Sequence, residues 1–191
     1  MHHIGRRIGL LGGSFNPAHH GHLAISQHIY THLQLDEIWW IVTPQNPFKT
    51  TDNTEDLTLR INYCRKICHH IPYIRIITDP SPYPHRSIHT VTTLTRSYPD
   101  ISFIWMMGAD NLIHFHRWHR WYDIASSVPL VIYDRKPYSY RALRSKAAYT
   151  LCHRYIAPQH AALLPFHDTP AWSFLRLPTY NISSTEIRNN A

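Results

Sequence analysis

Residues able to handle phosphate gather at two places far apart in the chain. The first is Gly12-Gly13-Ser14-Phe15-Asn16-Pro17-Ala18-His19-His20-Gly21-His22. Paired glycines let the backbone come close to an anion, and a helix starting here would turn unpaired N–H groups outward. His19 and His22 lie three apart across Gly21, so both imidazoles can converge on the helix mouth. Together these groups make a site for negatively charged oxygen, whereas His20 reads as a surface residue. The GxxxxGK[ST] phosphate loop is absent, and so is GxGxxG in its required form. Phosphoryl transfer from such a loop and dinucleotide redox chemistry are therefore unsupported. The second place is Asn181-Ile182-Ser183-Ser184-Thr185-Glu186-Ile187-Arg188. It starts a helix with three hydroxyls and sets a guanidinium one turn further on. Hydroxyls and exposed amides can hold phosphate oxygens, and the guanidinium can clamp two at once. Taken alone, the same pattern is a capped surface helix.

The elements that must position these residues alternate in type. Short β-branched or aromatic runs predict strands over 8–11, 38–42, 73–77, 101–107, 128–133 and 172–177. Amphipathic runs predict helices over 22–33, 88–98, around 111–125, 140–153 and 184–190. A further helix opens on a Thr54 cap and carries Leu57, Ile61, Cys64 and Cys68 on one face. Strands too apolar to face water, separated by helices, indicate an α/β protein with a Rossmann-like, doubly wound, mostly parallel sheet and helices on both faces. Residues 1–191 read as a single domain. In that architecture ligands sit beyond the carboxyl ends of the strands, where the first loop lies.

Composition agrees and narrows the class. The chain has 191 residues, 43% of them hydrophobic, with 6 Trp, 12 Tyr and 6 Phe, which is ample for a core. Charged residues are only 16%, against disorder as the main state. No apolar run approaches the ~20 residues of a membrane helix. The apolar stretch after Arg6-Arg7 is too short for a signal peptide, so the expected location is cytoplasmic. Cys64, Cys68 and Cys152 read as reduced thiols, not as zinc ligands. A net charge of +7 favours anionic partners, and charge alone does not choose between nucleic acid and a nucleotide polyphosphate.

Gly13, Phe15, Pro17, His19, Gly21 and His22 resemble the GxFxPxHxGH signature of the nucleotidyltransferase superfamily, with Asn16 where aspartate is frequent. Ile182 to Arg188 resembles that superfamily's ISSTxIR element, in the same chain order. Three intermediate stretches, Pro44-Gln45-Asn46-Pro47-Phe48-Lys49, His89-Thr90-Val91-Thr92-Thr93-Leu94 and Phe103 to Trp118, are similar to those of bacterial nicotinate-nucleotide adenylyltransferases. The resemblance implies transfer of the adenylyl group of ATP to nicotinate mononucleotide, giving deamido-NAD and pyrophosphate, with Mg²⁺. It implies phosphate and ATP contacts at Gly12, Gly13, Ser14, Phe15, Gly108, Asp110, Ile182, Ser183 and Ser184. It implies catalysis by His19, His22, Lys49 and Arg188, and a mononucleotide site at Lys49, Thr90, Val91, Trp118 and His119. There Trp118 would stack on the pyridine ring, a cationic ring on indole. The amides at Val91 and His119 would hold the carboxylate. Trp118 could instead be a core aromatic, and Thr90 a helix cap.

The attacking phosphate is already anionic, so in-line attack on the α-phosphorus needs no general base. Catalysis is expected from placement and charge stabilisation. His19 and His22 would donate to triphosphate oxygens, Lys49 and Arg188 would neutralise them, and Mg²⁺ would bridge them without protein side-chain ligands. Bound polyphosphate is expected to outweigh the helix dipole and favour a charged imidazole. His22→Ala is expected to lose turnover and leave folding intact. ATP and nicotinate mononucleotide are thus the expected partners, with no nucleic acid or membrane, and the oligomeric state is open. Alternative acceptors are nicotinamide mononucleotide and phosphopantetheine. A non-catalytic nucleic-acid module is the rival from another class, and no helix carries the concentrated basic face it would need.

Overall fold

The computed structural model describes residues 5–44, 55–83 and 86–176. Six strands run parallel in one sheet: β1 (Arg7–Gly13), β2 (Glu37–Val42), β3 (Ile74–Thr78), β4 (Ser102–Gly108), β5 (Leu130–Tyr133) and β6 (Trp172–Leu175). Their order is β3-β2-β1-β4-β5-β6, so the winding reverses between β1 and β4. β1 meets β2 with Leu10 opposite Trp39 and meets β4 with Leu10 opposite Trp105. Reversal leaves a crevice beyond the carboxyl ends of β1 and β4, the place where such sheets take their ligands.

Side chains alternate across the sheet, and both faces are apolar. Ile8, Leu10, Trp39, Trp105 and Ile132 point to one face, where they meet α3 (Ser87–Ser97), α4 (Ala109–His114), α5 (Trp121–Ser127), α6 (Ser139–Leu143) and α7 (Lys146–Thr150). Leu11, Trp40, Ile104 and Val131 point to the other, covered by α1 (His20–His32), α2 (Leu57–Cys68) and a 3-10 segment at Pro158–Phe166. Layers on both faces explain why the strands read as nearly unbroken apolar runs. The indole N–H of Trp40 would be orphaned in such a core, and it donates to Ser26 Oγ of α1 at 2.8 Å.

Several expected boundaries shift. β1 extends two residues past the apolar run, to Gly13, because its glycines still pair with Ile41 and Val42 of β2. α1 starts at His20, not His22, because His19 itself caps it. Thr54 lies outside the described residues; α2 is capped by Asp56, whose carboxylate accepts from Thr58 N at 2.7 Å. The single helix expected over 140–153 is α6, α7 and a 3-10 turn at Cys152–Arg154. Ser145 divides it: its hydroxyl accepts from Ala148 N and so begins a new helix. The span 111–125 is divided between α4, a 3-10 turn at Phe115–Arg117 and α5. The helix expected at 184–190 lies outside the described residues. No helix among the described residues is long and apolar enough to cross a membrane.

Candidate active site

At the carboxyl end of β1 the chain turns through Ser14 and Phe15 into α1. Phe15 has φ 46° and is buried, stacked on Trp40 with ring centroids 4.9 Å apart. A side chain on Gly13 would come within 3.3 Å of that ring, so the turn closes tightly. Burial of Phe15 beneath the loop leaves Gly12 and Ser14 at the surface.

His19 and His22 form a reciprocal cap on α1. His19 Nδ1 accepts from Gly21 N at 3.1 Å, and His22 Nδ1 accepts from His19 N at 3.3 Å. A ring nitrogen that accepts carries no proton, so the neutral tautomer of each imidazole is the Nε2–H form. The rings lie 3.8 Å apart by centroid. Burial, then the neighbouring His19 and Arg135, pull the pKa of His22 down to about 3. The imidazole without ligand is therefore neutral.

On the other side of the crevice, Gly108 precedes α4 and Asp110 stands in its first turn. A Cβ on Gly108 would lie 2.3 Å from Asp110 Oδ1, so a larger residue there would displace the carboxylate. Asp110 Oδ2 accepts from Arg135 Nη1 at 3.3 Å, and buried Oδ1 has no partner among the described residues. Arg135, just past β5, thus faces Asp110 and electrostatically reaches His22. The loops after β1, β4 and β5 meet here.

A second group surrounds the start of α3. Thr90 is buried, and its hydroxyl donates to both carboxylate oxygens of Asp79, at 3.0 and 2.9 Å. Asp79 also accepts from Ser81 N at 3.0 Å and so shapes the loop leading into α3. The proton of the Thr90 hydroxyl is therefore engaged within the protein. Val91 is fully buried in the second turn of α3, where helix geometry commits its amide to the Ser87 carbonyl. An amide so placed competes with the expected ligand contact of Val91, whereas the first turn of a helix carries the amides without intrahelical partners. Trp118 is half-buried and meets Phe115 edge-on at 5.3 Å, which joins it to the core while leaving part of the indole accessible. His119 is exposed, with Nε2 3.4 Å from Arg86 Nη1, so the 118–120 turn reaches the mouth of α3.

Imidazoles and a guanidinium stand at the sheet's switch point, and a partly exposed indole lies near the start of α3, a set that suits a nucleotide. A cytidylyltransferase-like family model matches residues 10–190. A protein of Bradyrhizobium sp. (strain ORS 278) named "Probable nicotinate-nucleotide adenylyltransferase" is 43% identical over 184 residues, 96% of this chain and 95% of that one. The chain belongs to the cytidylyltransferase-like family, among nicotinate-nucleotide adenylyltransferases. A protein of the same name from Ruegeria sp. (strain TM1040) is 41% identical across 95% of both chains. The fold is shared with the nicotinic acid mononucleotide adenylyltransferase of Plasmodium falciparum, solved with NaAD and with APC. That likeness has a TM-score of 0.69 at 16% identity and covers 96% of this chain and 83% of that one.

Within this adenylyltransferase fold, Lys49, Ile182, Ser183, Ser184 and Arg188 lie outside the described residues. Arg135 was not singled out from sequence, although a cation directly after a strand of a parallel sheet is a signal that could have found it. Asp79 and Arg60 were also missed. A buried carboxylate and a buried guanidinium look like surface charges in sequence until the packing is known.

Proposed function

We propose that this chain transfers the adenylyl group of ATP to nicotinate mononucleotide, releasing pyrophosphate and forming deamido-NAD as a step in NAD biosynthesis. The observation that carries this reading is the paired cap of His19 and His22 at the mouth of α1, beside the β1–β4 crevice. With both Nδ1 atoms engaged, the two rings would meet triphosphate oxygens through their Nε2 sides, and without ligand the His22 ring is a neutral N–H donor. They need no proton transfer, because the attacking phosphate is already an anion. The amides of Ser14 and Phe15 add donors, with Gly12 and Gly13 giving close approach.

Asp110 is placed to accept from a ribose hydroxyl, since Oδ1 has no partner among the described residues. Trp118 offers its accessible face to the pyridine, with His119 and Thr90 beside it. Lys49, Ile182, Ser183, Ser184 and Arg188 complete the set on their motifs alone. Charge builds on the α-phosphate and on the departing pyrophosphate, and fixed donors stabilise it there. Mg²⁺ fits this site as part of the ATP complex, because the groups assembled here are donors to phosphate oxygen. When bound, it would neutralise phosphate charge. Three free cysteines, two of them buried, suit a reducing compartment, and we place the reaction in the cytoplasm.

Pyrophosphate release is measured with purified protein, Mg·ATP and each mononucleotide in parallel. Nicotinate mononucleotide is expected to give a kcat/KM at least about tenfold above nicotinamide mononucleotide, about 1.4 kcal/mol of discrimination. Equal values would overturn the acceptor assignment, and no release with either would overturn the activity.

A further inference from the structure

Arg60 of α2 has no part in either phosphate motif, yet it is 1% exposed and among the largest fully buried side chains. Its guanidinium makes no ion pair among the described residues. It binds backbone instead: Nε donates to the Glu55 carbonyl at 3.0 Å, and Nη1 to those of Ser14 at 2.6 Å and Thr43 at 2.9 Å. Ser14 follows β1 and Thr43 follows β2, so one side chain joins two loops at the carboxyl edge of the sheet. Thr43 extends the link, donating from N and Oγ1 to the Gly13 carbonyl at 3.0 and 3.2 Å. Asn16 Oδ1 adds a third tie by accepting from Glu55 N at 3.3 Å.

The consecutive carbonyls of Gly13 and Ser14 are thus both held toward β2 and α2. In a planar trans peptide the carbonyl and the following N–H point in opposite directions. The amides of Ser14 and Phe15 are therefore turned the other way, and neither donates to backbone among the described residues. Two successive amides turned to the same side suit an anion, and Phe15 at positive φ turns the chain directly after them. Burial lowers the pKa of Arg60, but guanidinium stays protonated under ordinary conditions. A buried cation without a carboxylate is costly, and a methionine would fill similar space without that cost. Packing alone therefore gives no reason for arginine here.

We propose that Arg60 is a positioning residue for adenylyl transfer: by holding the Ser14 and Thr43 carbonyls it aims the amides of Ser14 and Phe15 at the phosphates of ATP. The inference rests on reading this loop as the phosphate cradle. It predicts an effect on ATP that the mononucleotide does not share.

Arg60→Met and Arg60→Lys are compared with the unaltered chain by melting midpoint as a function of Mg·ATP and of nicotinate mononucleotide, and by steady-state turnover. Lysine keeps charge and length but cannot fork between carbonyls, and it serves where methionine fails to fold. The expected result is a folded variant whose apparent Kd for Mg·ATP rises about tenfold or more, with its mononucleotide affinity within about twofold. Mg·ATP affinity within about twofold of the unaltered chain would overturn the proposal. So would equal losses for both ligands, which mark a merely structural role. Binding of Mg·ATP to the unaltered chain is read without any acceptor, so failure of the acceptor assignment would show separately, as absent turnover.

Discussion

The two nitrogens of each histidine ring do different work at this site. In His22, Nδ1 holds the backbone at the start of α1, which leaves Nε2 as the nitrogen for the proposed phosphate contact. Asparagine places its amide oxygen near the Nδ1 position, and glutamine reaches nearer Nε2. His22→Asn is therefore expected to keep stability within about 1 kcal/mol while turnover falls at least about a hundredfold. His22→Gln should lose about 1 kcal/mol of stability and retain more turnover than the asparagine variant. Denaturant unfolding and pyrophosphate release check both. His22→Ala removes both nitrogens and should lose turnover together with about 1 kcal/mol of stability, while still folding.

The depressed pKa of His22 also has a sign. The folded state holds the ring neutral down to about pH 3, whereas the unfolded ring takes up a proton near the ordinary imidazole value of 6.5. Unfolding thus binds a proton between those values, and the stability contribution present above pH 6.5 is lost as pH falls toward 3. Unfolding free energy measured across that window should fall more steeply for the unaltered chain than for His22→Asn. Parallel slopes would show that His22 titrates normally.

Among the elements, α3 depends on the loop that delivers it. Thr90 and Asp79 bind each other where both are buried, so removing one leaves the other short of a partner. Thr90→Val is nearly the same shape but cannot donate. It should cost about 1–3 kcal/mol and loosen the approach to α3. Differential scanning calorimetry reads the first effect. The second should appear as a raised KM for the mononucleotide with KM for ATP unchanged, because the loops proposed to hold ATP hang from β1, β4 and β5. α6 and α7 teach a related lesson. Their combined length and pattern suit one helix, and a single serine hydroxyl at Ser145 decides otherwise.

At the scale of the molecule, the sheet is a buried six-stranded plate whose carboxyl edge carries the loops of the proposed site. Ile104 sits in β4 beside the switch point and is fully buried, remote from the crevice groups. Ile104→Ala should cost about 2–5 kcal/mol in denaturant unfolding. Turnover per folded molecule should stay near that of the unaltered chain, because the loops keep their own ties. A large fall in kcat at full folding would show that the plate itself tunes the loop geometry.

The sequence by itself determined the strand order's class, the two apolar faces and the loop of His19 and His22. Those features rest on local signals: short unbroken apolar runs, glycine at turns and fixed spacing within a few residues. Tertiary structure decided which nitrogen of each imidazole is engaged, that Arg135 meets Asp110 and that Val91 is core. It also decided that Arg60 reaches under the first loop from α2. Each of these joins residues that are distant along the chain, or depends on burial, and hydrogen-bond partners across such distances leave no periodic trace in sequence. Local pattern therefore announces the donors, while packing fixes where they point.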